Sequence, residues 1–351
     1  MSAQKKKVKW GVIGSGGIAR RRTIPEGIMQ AANAELVAVF DVAKQLNVEI
    51  AKEFNATATD ELEDLLKADL DAVYIATPAN LHFQHVIGCA GAGKHVLCEK
   101  PLGLSAEEGK KMVTACEKGG VNLGTAFMLR FHTQHKAALD MIEQGKLGTP
   151  VYGRAQMSCW YPPIKGAWRQ DPAISGGGSL IDMGGHCIDL LEMFLGKVIK
   201  VSCFVGNIVH DYKSEDSAVA MLQFASGAMA TVDNFNCIPD DSSKFVLELY
   251  GSKGSILAKN TVNQGDHGEM VAFLEEESSA YDAQQDHQDV HGTVVAPTPY
   301  NNYCAEIEEF SQAIIERRAP YNSAELGLRS ERILSACYES ARTGRAVDIG
   351  E

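Results

Sequence analysis

The chain has 351 residues, 45% of them hydrophobic and 22% charged, a balance that predicts a soluble globular protein of two domains. Its formal charge of −12 argues against nucleic acid or an anionic membrane as partner, because both select basic patches. No apolar run approaches roughly 18 residues, so no membrane span is expected.

Lys5-Lys6-Lys7 leads into a strand rather than into the apolar stretch of a signal peptide. Val8, Trp10, Val12 and Ile13 predict a short buried strand. It ends in Gly14-Ser15-Gly16-Gly17-Ile18-Ala19, a G-x-G-x-x-A turn, with a helix-like segment after it. In that setting Gly14 permits a tight turn, Gly16 lets the backbone approach a pyrophosphate, and Ala19 lets the helix pack against the strand. The positive end of the helix then faces the phosphates. A second strand over 35–40 ends in Asp41, about 20 residues beyond Ala19, where an adenosine ribose calls for a carboxylate. Together these point to a nicotinamide dinucleotide site rather than an ordinary βαβ crossover.

Helices follow over 42–54 and 60–67, then a buried strand over 71–76 ending at Thr77-Pro78. A helix over 81–92, capped by Gly93, leads to a strand at 95–98 that ends in Glu99-Lys100-Pro101. Ser105 and Glu108 form a capping box for a helix to about Lys118, closed by Gly119-Gly120. Alternation up to about Ala126 predicts a parallel, doubly wound sheet, whose ligands sit at the carboxyl ends of its strands. Asp41, Thr77-Pro78 and Glu99-Lys100-Pro101 therefore belong to one rim.

Beyond that the pattern changes. A helix over 131–144 and a strand over 151–160 are followed by a polar, aromatic loop containing Tyr161-Pro162-Pro163 and Trp168-Arg169. Gly176-Gly177-Gly178 leads into a helix over 179–195. Strands over 198–209, 217–224, 228–235 and 245–250 predict a mostly antiparallel sheet. The acidic stretch 264–296 has no assignable pattern, and helices over 302–317 and 324–341 close the chain. Nine scattered cysteines without C-x-x-C predict reduced thiols in a cytoplasm, with neither disulfide frame nor zinc site.

GVIGSGGIA at 11–19, ATPANLH at 76–82, KHVLCEKPL at 94–102 and GGGSLIDMGGHCIDLL at 176–191 together resemble the Gfo/Idh/MocA oxidoreductases, the glucose–fructose oxidoreductase and inositol dehydrogenase family. LGTAFMLRFHTQH and the Pro-Pro…Trp-Arg loop are similar to its sugar reductases. The resemblance implies an α/β plus α+β protein. Residues 1–127 would form a Rossmann domain binding NAD(P), and 128–351 an α+β domain for substrate and self-association, with a large, mostly antiparallel open sheet. It further implies an NAD(H)-dependent dehydrogenase or reductase acting on CH–OH groups of a sugar, cyclic polyol or sugar derivative. A cytoplasmic homodimer or homotetramer is expected.

Hydride transfer carries no proton, so the hydroxyl proton needs a separate base. Lys100 stands at a strand end on the cofactor rim beside a stiffening proline, and the family places its catalytic lysine in this motif. A cis Lys100–Pro101 bond suits so sharp a turn. Glu99 reads as a cofactor-side residue. Asp182 and His186, four apart, stack on one helix face, with the preceding glycines allowing a ligand close. By resemblance His186 hydrogen-bonds the reacting oxygen or shares proton transfer, and Asp182 positions the substrate; which of Lys100 and His186 moves the proton stays open. Asp189, on the same helix, reads equally as a cap, a packing residue or a ligand.

Gly14, Gly16, Gly17, Ile18, Asp41, Glu99 and Lys100 belong to the expected cofactor set, and the resemblance adds Thr77, Pro78, Asn80, His82 and Arg169, with Arg169 reaching cofactor or substrate and His82 equally readable as the start of a helix. Asp41 favours NAD over NADP. Lys44 and Arg20-Arg21-Arg22 are the groups able to answer a 2′-phosphate. His132 and His135 have no third ligand at metal spacing, so no metal is expected. Two other readings remain: an NAD-dependent glycosidase of the same architecture without net redox change, and a non-catalytic dinucleotide-binding regulator.

Overall fold

The computed structural model describes residues 6–275 and 291–350. Two compact units emerge. One takes the chain through Met128 together with Pro172–Gly176 and Asn301–Arg332. The other takes Leu129–Asp171, Gly177–Tyr300 and the chain from Ile333 onward.

The first unit is built on a six-stranded sheet: β1 (Val8–Ile13), β2 (Ala34–Phe40), β3 (Thr57–Ala58), β4 (Ala72–Ile75), β5 (His95–Cys98) and β6 (Leu123–Thr125). Every pairing is parallel and the order is β3-β2-β1-β4-β5-β6, so the winding reverses between β1 and β4. Both faces are covered. Val8, Trp10 and Val12 pack into one core cluster and Ile13 into another, which is why β1 reads as an almost unbroken apolar run. Trp10 is fully buried; its ring lies 5.6 Å from that of Phe310 and its Nε1–H donates to Ser311 Oγ at 3.1 Å. Those contacts place the helix Asn302–Glu316 in the first unit, although the sequence division at 127 groups it with the second.

Local signals account for the helix ends. Ser105 Oγ accepts the Glu108 N–H at 3.2 Å and the Glu108 carboxylate accepts the Leu104 N–H at 2.9 Å, starting helix Ala106–Gly119; Gly120 ends it in the left-handed region. The segment after the glycine turn, Ala19–Ile28, is a π-helix. Pro25 lies inside it, without an N–H and crowding the preceding turn, and the Met29 N–H reaches back five residues to the Ile24 carbonyl at 3.0 Å.

The second unit carries a nine-stranded sheet: β7 (Pro150–Ser158), β8 (Val198–Gly206), β9 (Ser217–Phe224), β10 (Met229–Phe235), β11 (Phe245–Gly251), β12 (Gly254–Lys259), β13 (Glu269–Leu274), β14 (Thr293–Val294) and β15 (Val347–Asp348). The order is β14-β13-β12-β11-β7-β10-β9-β8-β15, antiparallel throughout except for β7 with β10. β13 and β14 fall in the stretch the sequence leaves unassigned, of which 276–290 lie outside the described residues. Alternation divides the sheet into a buried face, with Ala220, Leu222, Val232, Ala155 and Leu247, and an open one. Among the described residues no helix is long and apolar enough to cross a membrane.

Candidate active site

The carboxyl ends of β2, β1, β4 and β5 bring Asp41, the 14–19 turn, Thr77-Pro78 and Glu99-Lys100 to neighbouring positions on the first unit's sheet. Gly14 holds φ +80°, and a Cβ there would fall 2.8 Å from the Ala76 carbonyl carbon, so only glycine lets this turn nest against the next loop. Gly17, at φ +51°, faces open space, and no side chain caps the helix that begins beyond Ile18. Asp41 is oriented by its own backbone surroundings: Oδ2 accepts the Gly16 N–H at 3.1 Å and Oδ1 the Ala43 N–H at 2.9 Å. An uncapped helix start over an open glycine, with a fixed carboxylate beside it, fits a dinucleotide's pyrophosphate and ribose.

The cations near this rim already have carboxylate or carbonyl partners. Arg20 pairs with Glu53 at 2.9 Å, Arg22 with Glu26 at 2.6 Å and Lys44 with Glu61 at 3.5 Å, while Arg21 Nε donates to the Gly17 carbonyl at 3.2 Å.

At the end of β5, Glu99 and Lys100 are half-buried and the Lys100–Pro101 bond is cis. Tyr74, fully buried in β4, donates its hydroxyl to Glu99 Oε1 and accepts from Thr23 Oγ1 at 3.0 Å. Burial, with the Glu99 charge beside it, pushes the Tyr74 pKa well up, so the hydroxyl keeps the proton it donates. His82 is buried in the same unit. Its Nδ1 faces the Pro101 carbonyl at 2.8 Å and its Nε2 the Thr77 carbonyl at 2.9 Å, a strut between the loops that follow β4 and β5. Burial lowers its pKa, against the pull of those two carbonyls, and a neutral imidazole donates to one of them at a time. Thr77 Oγ1 lies 3.1 Å from His85 Nδ1, and Asn80 is exposed in the 3₁₀ turn Ala79–Leu81.

In the second unit Asp182 lies on a π-turn, Leu180–Gly184, which passes directly into the α-helix Gly185–Leu195 carrying His186. The regular α stacking expected of this pair is therefore replaced by a wider turn, packed so closely that a Cβ on Gly184 would fall 2.8 Å from Asn234 Oδ1, and such turns gather at functional sites. Asp182 pairs with Arg169 Nε at 3.5 Å, and the Arg169 guanidinium lies 4.3 Å above the Trp168 ring. Tyr161 shares this corner: burial raises its pKa, with Arg169 opposing and Asp182 adding to the shift. Gly177 and Gly178, read as room for a ligand, instead admit the chain itself. A Cβ on Gly177 would fall 1.9 Å from the Tyr338 hydroxyl, and one on Gly178 2.0 Å from the Glu215 carbonyl oxygen.

Asp189 turns away from this corner into a buried ion pair with Arg130, whose Nε donates to both carboxylate oxygens at 2.9 and 2.8 Å. His132 caps helix Thr133–Glu143 by accepting the Gln134 N–H at 3.2 Å, and His135 Nδ1 meets the Leu129 carbonyl at 2.9 Å. Burial pushes their pKa values down to about 4 and about 3. Among the described residues no group of three or more His, Cys, Asp or Glu side chains is placed to hold a metal ion.

Sequence reasoning passed over Tyr74, Tyr161, Glu215 and Tyr338. Tyr74 had a signal: a tyrosine within a strand buried on both faces must find a partner for its hydroxyl.

Residues 8–127 match the model of the Gfo/Idh/MocA oxidoreductase family's NAD-binding Rossmann fold, and 140–349 that of its C-terminal alpha/beta domain. The 1,5-anhydro-D-fructose reductase of Ensifer adhaerens is 29% identical over 351 residues, covering 97% of this chain and 98% of that protein. The D-xylose 1-dehydrogenase (NADP(+)) 2 of Haloferax volcanii is 31% identical over 344 residues, covering 97% and 99%. A levoglucosan dehydrogenase solved with NADH and levoglucosan shares the fold at a TM-score of 0.85 and 23% identity, covering 99% of this chain and 100% of that one. With both family domains matched end to end on a dinucleotide-shaped rim, the chain belongs to the Gfo/Idh/MocA oxidoreductases.

Proposed function

We propose that this oxidoreductase acts on CH–OH groups of a sugar, cyclic polyol or sugar derivative with NAD(H), Lys100 and His186 handling the proton and Asp182 positioning the substrate. The observation that carries the reading is the rim at β1, β2, β4 and β5, where a lysine follows directly on a carboxylate fixed by Tyr74. Oxidising CH–OH to C=O removes one hydride and one proton, and bound NAD supplies the hydride acceptor. The hydroxyl proton passes to a base of the chain, and Lys100 Nζ is the group offered from the cofactor rim. Asp182, next to Arg169 and Tyr161, presents hydrogen-bonding groups suited to a polyhydroxylated ring, and His186 one turn on bonds the reacting oxygen. The relatives' names supply the substrate class: a sugar reductase and a sugar dehydrogenase.

Residues 1–127 are assigned to the cofactor and 128–351 to substrate and self-association. The test is a panel of inositols, aldoses, ketoses and glycosides, with NAD and with NADP, read by nicotinamide absorbance and by release of free sugar. Net NADH formation on one of them is expected. Bond cleavage of a glycoside without net NADH would replace this reading with the glycosidase one, and cofactor binding without turnover on any of them would favour the regulator.

A further inference from the structure

Glu215 sits on the segment just before β9 and is 7% exposed. Its carboxylate receives three donors: the Gly178 N–H on Oε2 at 2.8 Å, the Leu180 N–H on Oε1 at 3.0 Å, and the Tyr338 hydroxyl on Oε1 at 2.8 Å. Its backbone carbonyl accepts the Ser179 N–H at 3.0 Å. Three successive peptide groups, 178 to 180, are thus fixed by one residue at the entry to the π-turn of Asp182 and the helix of His186.

The platform beneath is itself tied down. Asp216 accepts the N–H groups of Ile208, Val209 and His210 at 2.9, 2.8 and 2.8 Å and the Ser217 hydroxyl at 2.8 Å. On the other side Ser214 Oγ donates to the Arg169 carbonyl at 3.1 Å. Residues 214–216 therefore hold two segments at once, the turn leading to Asp182 and the loop bearing Arg169.

We propose that Glu215, clamped by Tyr338, is a positioning residue that sets the orientation of Asp182 and His186 through the peptide groups of Gly178 and Leu180. The inference rests on the reading of Asp182 and His186 as substrate-handling residues. Chemistry favours a carboxylate here, because all three neighbours donate to it and the two peptide N–H groups can do nothing else. Burial raises the Glu215 pKa, and the Leu180 N–H and the Tyr338 hydroxyl pull it back. Glutamine has nearly the same shape but only one acceptor oxygen. In either orientation its NH₂ faces a donor, so Glu215→Gln breaks the clamp without opening a cavity.

The experiment compares Glu215→Gln, Tyr338→Phe, His186→Ala and the double variant Glu215→Gln/His186→Ala, on whichever sugar or polyol of the panel turns over. Glu215→Gln is expected to leave NADH affinity unchanged, to speed deuterium exchange across 177–186 and to lower kcat by about 10²-fold, the cost of a displacement near 1 Å. The double variant is expected to lose less than the product of the two single losses, since part of the clamp's effect passes through His186 and the rest through Asp182. Tyr338→Phe, which leaves both peptide bonds to the carboxylate, is expected to shift kcat the same way by less. It decides the matter if Glu215→Gln does not fold, because unchanged exchange and turnover in Tyr338→Phe would overturn the proposal. Full turnover in folded Glu215→Gln, or losses that multiply in the double variant, would reduce Glu215 to a packing residue. Wild-type turnover in His186→Ala would instead bring down the catalytic reading of that helix, and this inference with it.

Discussion

We propose that Asp41 bears the choice of cofactor. Its carboxylate, fixed by the Gly16 and Ala43 N–H groups, suits ribose hydroxyls and repels a 2′-phosphate, while Arg20, Arg22 and Lys44 are engaged by Glu53, Glu26 and Glu61. Wild type is expected to favour NAD in kcat/KM, and Asp41→Ser to relax or reverse that preference; a wild type preferring NADP, or an unchanged ratio in the variant, would remove Asp41 as discriminator. Lys100→Ala is expected to cost about 10²–10⁴-fold in turnover, the usual worth of a positioned acid–base group, with cofactor affinity nearly intact. Near-normal turnover by the folded variant would end its role as base. His186→Ala and Asp182→Ala should each depress turnover, and their combined loss should fall short of the sum if they act with Lys100 as a network. These residues stand out as candidates in the sequence because each belongs to a local pattern: a glycine turn, a strand end, a four-residue spacing. Tyr74, Glu215 and Tyr338 do not, because their partners lie 25, 37 and 123 residues away, and no local spacing encodes such a hydrogen bond.

At the scale of elements, the strands of the parallel sheet were readable from their apolar runs, since burial on both faces leaves no other pattern. Neither π-helical stretch was, because over one or two turns hydrophobic periodicity does not separate i→i+4 from i→i+5 hydrogen bonding. The loop after β5 shows what a helix adds to a strand end. Glu331, on helix Ala324–Thr343, accepts the Gly103 N–H through Oε1, and a Cβ on Gly109 would fall 2.6 Å from its Oε2. Burial, helped by Glu108 and opposed by the Gly103 N–H, pushes its pKa up to about 8. An acid whose pKa is raised on folding binds its proton more tightly in the native state. Its contribution to stability therefore falls as pH rises from its ordinary value of 4.5 to about 8, by at most about 1.4 kcal/mol per unit. Glu331→Gln keeps the acceptor and has no proton to lose, so it is expected to match wild type near pH 4 and to melt progressively higher than wild type as pH rises to about 8. Equal melting temperatures across that range would place the Glu331 carboxyl in water rather than in the core.

For the whole molecule, the open face of the nine-stranded sheet sets the expectation of self-association. Phe204, Val219, Met221 and Met229 stand exposed on adjacent strands β8, β9 and β10, and register places Phe204 opposite Val219. We propose that this apolar surface, on an otherwise acidic protein, is an interface between copies of the chain. A homodimer or homotetramer is expected by sedimentation, and Met221→Asp is expected to shift it towards monomer; a wild type that sediments as monomer would refute this. Helix Ala324–Thr343 supplies Glu331, which fastens the loop after Lys100 within the first unit, and Tyr338, which clamps Glu215 within the second. The two lie about two turns apart on the same rod. Within the second unit, loss of the Tyr338 contact frees Glu215 and with it its hold on the Gly178 and Leu180 N–H groups, so the turn at 177–180 is expected to open in step with the last turns of that helix.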